Sequence, residues 1–479
     1  MARPNIILLM CDDLGYGDTG FNGNEIIRTP HLDELRREGA RFTRFFAGGP
    51  VCSPTRGTCL TGRHYARYGV THANAGRLPV QEWSLPRLCG ELGYRCGHFG
   101  KWHLGTMSTE RRDGNRGGPG RADEYSPPWL HGFERCFSTE AKVPTWDPMV
   151  VPDERGEAGP IWGTPGEPFG CAYWNEQGEV VTDNLGGDDS RVIVDRADPF
   201  IRQCVRDDSP FLAVVWFHAP HTPVVAGPEY RAMYADRSED EQHYFGCITA
   251  MDEQVGRLNQ LVKDLGVEQD TMIWFCSDNG PEGVGDPAVD GRSRGSTAGL
   301  RGRKRSLFNG GIEVPALLKW PGRVRPGDDY AMPCSTLDYL PTILDELDGA
   351  LPDDRPIDGV SLLPMIDGGD HTRPRPIPFR FIDRRSAMFD SPTFAMIDNR
   401  YKFLGNLADP AEDMVFDLID DRGEQTNLIE PQQPFARRMR RLLEETMVSL
   451  RHSHGGGDYD DPTYQPVNPF QDVWQSWWR

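Results

Sequence analysis

The chain has 479 residues, with 72 Asp plus Glu against 52 Lys plus Arg and a formal net charge of −20. That balance argues against a general binder of nucleic acid or anionic membrane, and no apolar stretch approaches the ~20 residues that span a bilayer. The length suits two or more domains, and eleven scattered cysteines, an odd number, fit mostly reduced thiols better than a disulfide framework.

In chain order, Asn5 to Met10 is a short apolar run that predicts a buried strand. No secretory signal precedes it, so the expectation is a cytoplasmic protein or one whose leader has been trimmed; the compartment stays open. Asp12 and Asp13 follow the strand. Two adjacent carboxylates leaving a buried strand need a neutralising cation, and in open α/β sheets ligands collect at strand C-termini. Thr29 to Glu38 predicts a helix, with Thr29 as N-cap and Pro30 in the first turn.

Cys52 to Arg63 reads CSPTRGTCLTGR. Proline fixes the backbone just after Cys52, and Arg56 returns to the same face if a helix starts here. This arrangement holds a reactive side chain at a helix start beside a permanent cation, where free N–H groups attract anions. The residues alone leave three other readings: an ordinary buried thiol, a thiolate nucleophile, and a zinc site with Cys59, whose spacing fits poorly. Gly93 to Gly105 (GYRCGHFGKWHLG) supplies Lys101 and His103, a point charge and a group able to move a proton near neutrality.

Phe211 to Phe217 predicts a second buried strand, running into His218 and His221; the pair lacks the helix and glutamate of a zinc protease motif. Thr271 to Cys276 predicts a third, followed by Asp278, Asn279 and Gly280. Asp-Asn-Gly is also a common turn. Taken together, the hard oxygens of Asp12, Asp13, Asp278 and Asn279 suit Ca²⁺ or Mg²⁺ and not zinc. Arg292, Arg294, Arg301, Arg303, Lys304 and Arg305 form either a local basic pocket for an anion or a solvated charge run. Between Lys142 and Leu185, Trp146, Trp162, Tyr173 and Trp174 are either sugar-stacking walls or packing for a long loop.

These segments resemble the type I sulfatases. The match rests on Cys-x-Pro-x-Arg at Cys52, on Gly-Tyr-x-x-x-x-x-Gly-Lys-x-His ending at His103, on Pro-His-x-Pro at His221, and on Gly-Leu-Arg-Gly-x-Lys at Lys304. Cys96 stands where the family has Thr, and Asn309 where it has Glu. The resemblance implies an alkaline-phosphatase-like α/β fold, a mixed sheet sandwiched by helices, with a small C-terminal subdomain of antiparallel sheet plus helix. A boundary near 370 divides a catalytic domain, 1–370, from a C-terminal subdomain with tail, 371–479. Trp474, Trp477 and Trp478 crowd that tail, which could dock on the body or on another subunit.

The resemblance also implies a chemistry. Cys52 is oxidised to formylglycine by a maturation enzyme, and its hydrate attacks the sulfur of a sulfate monoester. A divalent cation, usually calcium, is held by Asp12, Asp13, Asp278 and Asn279 and contacts the residue at position 52. Lys101 and Arg56 hold the diol, His103 takes its second proton, and Lys304 and His221 bind sulfate and serve the leaving oxygen. His218 and Arg303 are expected substrate-binding neighbours. The expected substrate is a sulfated saccharide. A phosphonate or phosphodiester hydrolase of the same fold, and a non-catalytic glycan-binding relative, remain as alternatives. The oligomeric state is open.

Overall fold

The computed structural model describes residues 3–152, 163–369, 371–383, 389–406 and 409–468. At its centre, five parallel strands run in the order Thr271–Ser277, Asn5–Cys11, Phe211–Trp216, Arg95–Lys101 and Arg135–Thr139. Antiparallel strands flank this set, Ala316–Lys319 on one side and Tyr173–Asn175 on the other, giving a ten-stranded mixed sheet.

The apolar runs read as buried strands are buried on both faces, as a helix-covered parallel sheet requires. Ile6, Leu8 and Met10 join one core with Leu212, Val214 and Trp274, under Leu60 of the helix Cys52–Thr61 and Leu340 of the helix Tyr339–Glu346. Ile7, Leu9 and Cys11 face the opposite core, beneath the helices Pro30–Glu38, Asp189–Arg206 and Glu239–Asp264. All eleven cysteines are buried free thiols.

The first helix departs from expectation at its cap. Thr29 makes no capping bond; its Oγ1 accepts from the Gly20 amide at 2.8 Å. The Asp252 carboxylate, from the long helix Glu239–Asp264, accepts instead from the amides of His31 (3.0 Å) and Leu32 (2.7 Å). A carboxylate brought by tertiary packing replaces the local hydroxyl.

Tyr173 and Trp174 are packing residues. Tyr173 stacks on Phe137 with centroids 3.9 Å apart and donates to Asp189, while the Trp174 indole is held by Asp113. Trp146 packs over Gly227. Trp162, Trp474, Trp477 and Trp478 lie outside the described residues.

Beyond the central sheet, Ile377–Arg380, Phe394–Asp398, Tyr401–Gly405 and Met414–Asp417 form an antiparallel sheet, followed by the helix Gln433–His454. Alternation sends Met396, Phe403 and Val415 toward that helix and Ala395, Ile397, Leu404 and Phe416 toward Phe46, Val51 and Phe308 of the body. Val51, the residue before Cys52, therefore packs in a core shared with the C-terminal sheet. No described helix is long and apolar enough to cross a membrane.

One clamp joins the segment after the Cys52 helix to the C-terminal part. Arg67 donates Nε and Nη2 to Asp358, both at 2.7 Å, and Nη1 to Ser449 and Ser453. The Asp358 carboxylate also accepts from the His64 amide at 2.6 Å. Burial opposes its ionisation, but Arg67 and the amide outweigh burial and hold its pKa at about 2, against an ordinary 3.8. A depressed carboxylate stabilises the fold above its unfolded pKa and loses that contribution as pH falls through the folded value. Asp358→Asn should lower unfolding stability by about 2 kcal/mol at neutral pH. Urea unfolding should show the wild-type advantage intact at pH 6 and shrinking below about pH 4; a gap independent of pH would refute the clamp's charge.

Candidate active site

Every central parallel strand delivers site residues from its C-terminal end. Asp12 and Asp13 leave the first strand, Asp278 and Asn279 the Thr271–Ser277 strand, and His221 follows Phe211–Trp216. Lys101 ends its strand, with His103 just beyond. The side chains converge because the strands are adjacent and parallel. Cys52 approaches from above as the first residue of a ten-residue helix buried along its whole length, closed by Gly62 in the left-handed conformation.

Ligand atoms of Asp12, Asp13, Cys52 and His221 lie within 4.8 Å of one another. Around them four carboxylates face four cations. Lys101 donates to Asp12. Arg56 donates to Asp278 at 2.7 Å, lies 3.7 Å from Asp12 and sits against the Trp216 ring. Lys304 donates to both oxygens of Asp13, at 2.6 and 2.7 Å, and reaches Glu282 at 3.4 Å; Arg305 also pairs with Glu282. Lys101, His221 and Arg56 overcome burial and hold the Asp12 carboxyl well below the usual range. Burial and the Asp12 charge push Asp278 up to about 7.

The residues fit a hard divalent cation. Asp12 Oδ1 and Asn279 Oδ1 are buried acceptor oxygens without a hydrogen-bond partner among the described residues, an arrangement that is costly unless something positive meets them. Asn279 Nδ2 donates to Asp13 at 2.7 Å, which leaves its oxygen as the available ligand atom. Asp13 is the most engaged of the set, accepting from Lys304 through both oxygens and from Asn279; Asp278 accepts from Arg56 and, at 3.1 Å, from the Asp13 amide.

Burial pushes the Cys52 thiol up to about 11, even with Lys101 and Lys304 opposing it. It stands as a thiol at neutral pH, which disfavours the thiolate-nucleophile reading. Asp13, His103 and Arg305 all have left-handed backbones, with φ of 68°, 59° and 76°. Such strain concentrates where side-chain aim matters.

A cleft of about 460 Å³ opens over this cluster, lined by Cys52, Lys101, His103, His221 and Lys304 among others. Two expected substrate contacts stand apart from it. His218 is buried, with Nδ1 2.8 Å from Asp189 and Nε2 2.7 Å from Thr139, so both nitrogens serve the scaffold. Arg303 donates to the carbonyls of Glu282 and Gly295. Most of the basic run is likewise structural: Arg292 and Arg294 pair with Asp240, and Arg301 lies over Phe308. Arg56 acts on the carboxylates of Asp278 and Asp12.

Sequence reasoning missed Lys142, Glu282 and Asn74, all lining the cleft. Glu282 follows Asp278-Asn279-Gly280-Pro281 and Lys142 follows a strand end, signals that could have flagged them; Asn74 belongs to no recognisable pattern. The Asn309 substitution is absorbed locally. Its oxygen accepts from Lys402 at 2.8 Å, and Glu424 supplies a carboxylate to both Lys402 and the Asn309 amide.

A mixed sheet sandwiched by helices, with buried carboxylates, lysines and a helix-start cysteine gathered at its strand ends, defines an alkaline-phosphatase-like hydrolase. The sequence model described as Sulfatase matches residues 4–350, and the chain belongs to that family and is a sulfuric ester hydrolase. A second model, N-sulphoglucosamine sulphohydrolase, C-terminal, matches residues 302–453. Among relatives, the Mus musculus steryl-sulfatase is 28% identical, covering 94% of this chain and 81% of its own length. The Canis lupus familiaris N-acetylgalactosamine-6-sulfatase is 31% identical, covering 78% and 68%. The crystal structure of Ps i-CgsB in complex with k-i-k-neocarrahexaose superposes with a TM-score of 0.78 at 25% identity, covering 94% of each chain.

Arg56→Ala should lower unfolding stability by about 3–5 kcal/mol, because it leaves the buried Asp278 carboxylate without its cation while Asp12 keeps Lys101. Adding Asp278→Asn should recover part of that loss in denaturant unfolding; strictly additive losses would contradict the pairing.

Proposed function

We propose that this sulfatase hydrolyses sulfate monoesters on a sulfated carbohydrate, with Cys52 converted to formylglycine and a divalent cation, calcium by preference, at the strand ends. The observation that carries this reading is the placement of Cys52 at a helix start within 4.8 Å of the Asp12, Asp13 and His221 ligand atoms, with Lys101 and Lys304 alongside in the cleft. The cation would be held by Asp12, Asp13, Asp278 and Asn279 and would touch residue 52. When bound it supplies positive charge to the nucleophile and the sulfate oxygens. The aldehyde hydrate supplies a hydroxyl nucleophile.

The chain's own residues supply the rest. Lys101, steadied by Asp12, and Lys304, steadied by Asp13, place two ammonium groups where sulfuryl charge must be neutralised. His103 is neutral, since burial lowers its pKa well below the ordinary histidine value, with Lys101 adding to the effect. It can therefore accept a proton from the hydrate. His221 Nδ1 donates to the Thr222 carbonyl at 2.6 Å, so Nε2, 3.6 Å from Asp13, is the atom that serves substrate. Burial lowers the His221 pKa well below the ordinary histidine value, so the neutral ring presents a bare Nε2 and can pass a proton to the leaving oxygen only after first gaining one.

Two observations favour a saccharide. The cleft lining includes the polar side chains of Asn74, Asn115, Lys142, Ser293 and Arg305, groups suited to sugar hydroxyls. One relative bears the name N-acetylgalactosamine-6-sulfatase, and one solved neighbour holds k-i-k-neocarrahexaose.

Cys52→Ala should abolish turnover and leave the fold intact by circular dichroism. The tryptic peptide Phe45–Arg56, from protein made with a formylglycine-generating enzyme, should show the mass of the aldehyde in place of the thiol. An unmodified thiol with full turnover would sink the mechanism. Calcium at about 100 times its Kd should stabilise the protein by about 2.7 kcal/mol, and Asp12→Asn should remove most of that gain; an unfolding midpoint indifferent to calcium and magnesium would rule the cation site out.

A further inference from the structure

His103 has two ring nitrogens in different circumstances. Nε2 lies 2.9 Å from Asn74 Oδ1. Nδ1 is buried and has no hydrogen-bond partner among the described residues. The ring is neutral, so it carries a single N–H, and the groups setting its charge are Lys101, Arg116 and Arg56 against Asp12. A carbonyl oxygen can only accept, so the proton resides on Nε2 and the lone pair on Nδ1. The oxygen assignment at Asn74 is supported from the other side, where Asn115 Nδ2 donates to the same Oδ1 at 3.3 Å.

The loop holding Asn74 is built to keep it there. Asn74 has φ of 61°, a left-handed conformation that asparagine tolerates better than most residues. A bridge between His72 and Ala75 closes the turn around it. Arg116 donates to the Gly76 carbonyl at 2.6 Å, and Asn468, from the segment following the C-terminal helix, donates to the Gly69 carbonyl at 3.2 Å. A side chain at Gly76 would lie 2.3 Å from the Gly69 oxygen, so the loop ends must touch.

We propose that Asn74 is a positioning residue that fixes the tautomer of His103, presenting Nδ1 as the atom that accepts the proton in sulfate-ester hydrolysis. The role in turnover rests on the formylglycine reading above; the tautomer does not.

The test combines ring ¹⁵N NMR of histidine-labelled protein, with His103 identified by its loss in His103→Gln, and steady-state kinetics on 4-nitrophenyl sulfate. Asn74→Gly removes the acceptor while tolerating the positive φ, and Asn74→Asp restores an acceptor oxygen. Wild type should show Nε2 protonated and Nδ1 bare. Asn74→Gly should lose that preference and drop kcat about 10–100-fold, with KM within about twofold. Asn74→Asp should recover the tautomer and most of kcat. Protonated Nδ1 in the wild type, an unchanged kcat in Asn74→Gly, or a loss confined to KM would overturn the proposal, the last by making Asn74 a substrate contact. A wild type inactive on sulfate esters but with the Nε2–H tautomer lost in Asn74→Gly would support the assignment and count against the formylglycine reading instead.

Discussion

The structure depends on neutralising carboxylates buried at the ends of its parallel strands. Asp12, Asp13 and Asp278 are essentially inaccessible to water, and ionised carboxylates in such surroundings are tolerable only when paired. The chain brings Arg56 from the cysteine helix, Lys101 from a neighbouring strand and Lys304 from a loop near residue 300. Stability and the proposed chemistry are joined here, since the charges that make the carboxylates bearable are the ones proposed to receive a sulfate. Acceptor oxygens left over on Asp12 and Asn279 give the site room for one more positive charge.

That arrangement is supported from beyond the central sheet. The C-terminal sheet packs Ile397, Leu404 and Phe416 against Val51 and Phe308, so the backbone entering Cys52 is braced by residues far downstream in the chain. Arg67 ties the segment after the cysteine helix to Asp358 and to the C-terminal helix. Asn468 steadies the loop that carries Asn74. The C-terminal part thus braces the walls in which the cluster sits, and it adds Asp383 to the lining of the cleft.

Much of the site was legible in the sequence because its signals are local. Short apolar runs ending in acidic or basic residues announce buried strands with polar groups at their tips; Asp12, Asp13, Lys101, His221 and Lys304 gather around Cys52, and Asp278 joins them through Arg56. His218 and Arg303 illustrate the limit. Both lie next to cleft-lining residues in sequence, yet His218 is consumed by Thr139 and Asp189, and Arg303 by two backbone carbonyls. Adjacency of one or three residues says little about direction when the backbone turns at a strand end.

The strands, their buried character and the kinds of chemical group at their ends follow from local sequence, because hydrophobic periodicity and motif spacing act over a few residues. Packing between distant segments sets which partner each charged group takes, since Asp252 capping a distant helix, Glu282 joining Lys304, and Asn74 meeting His103 are contacts between segments with no shared local pattern. It likewise decided that Tyr173 and Trp174 fill the core and do not line a sugar site, because a side chain's role follows from which face of the folded sheet it occupies and not from its type.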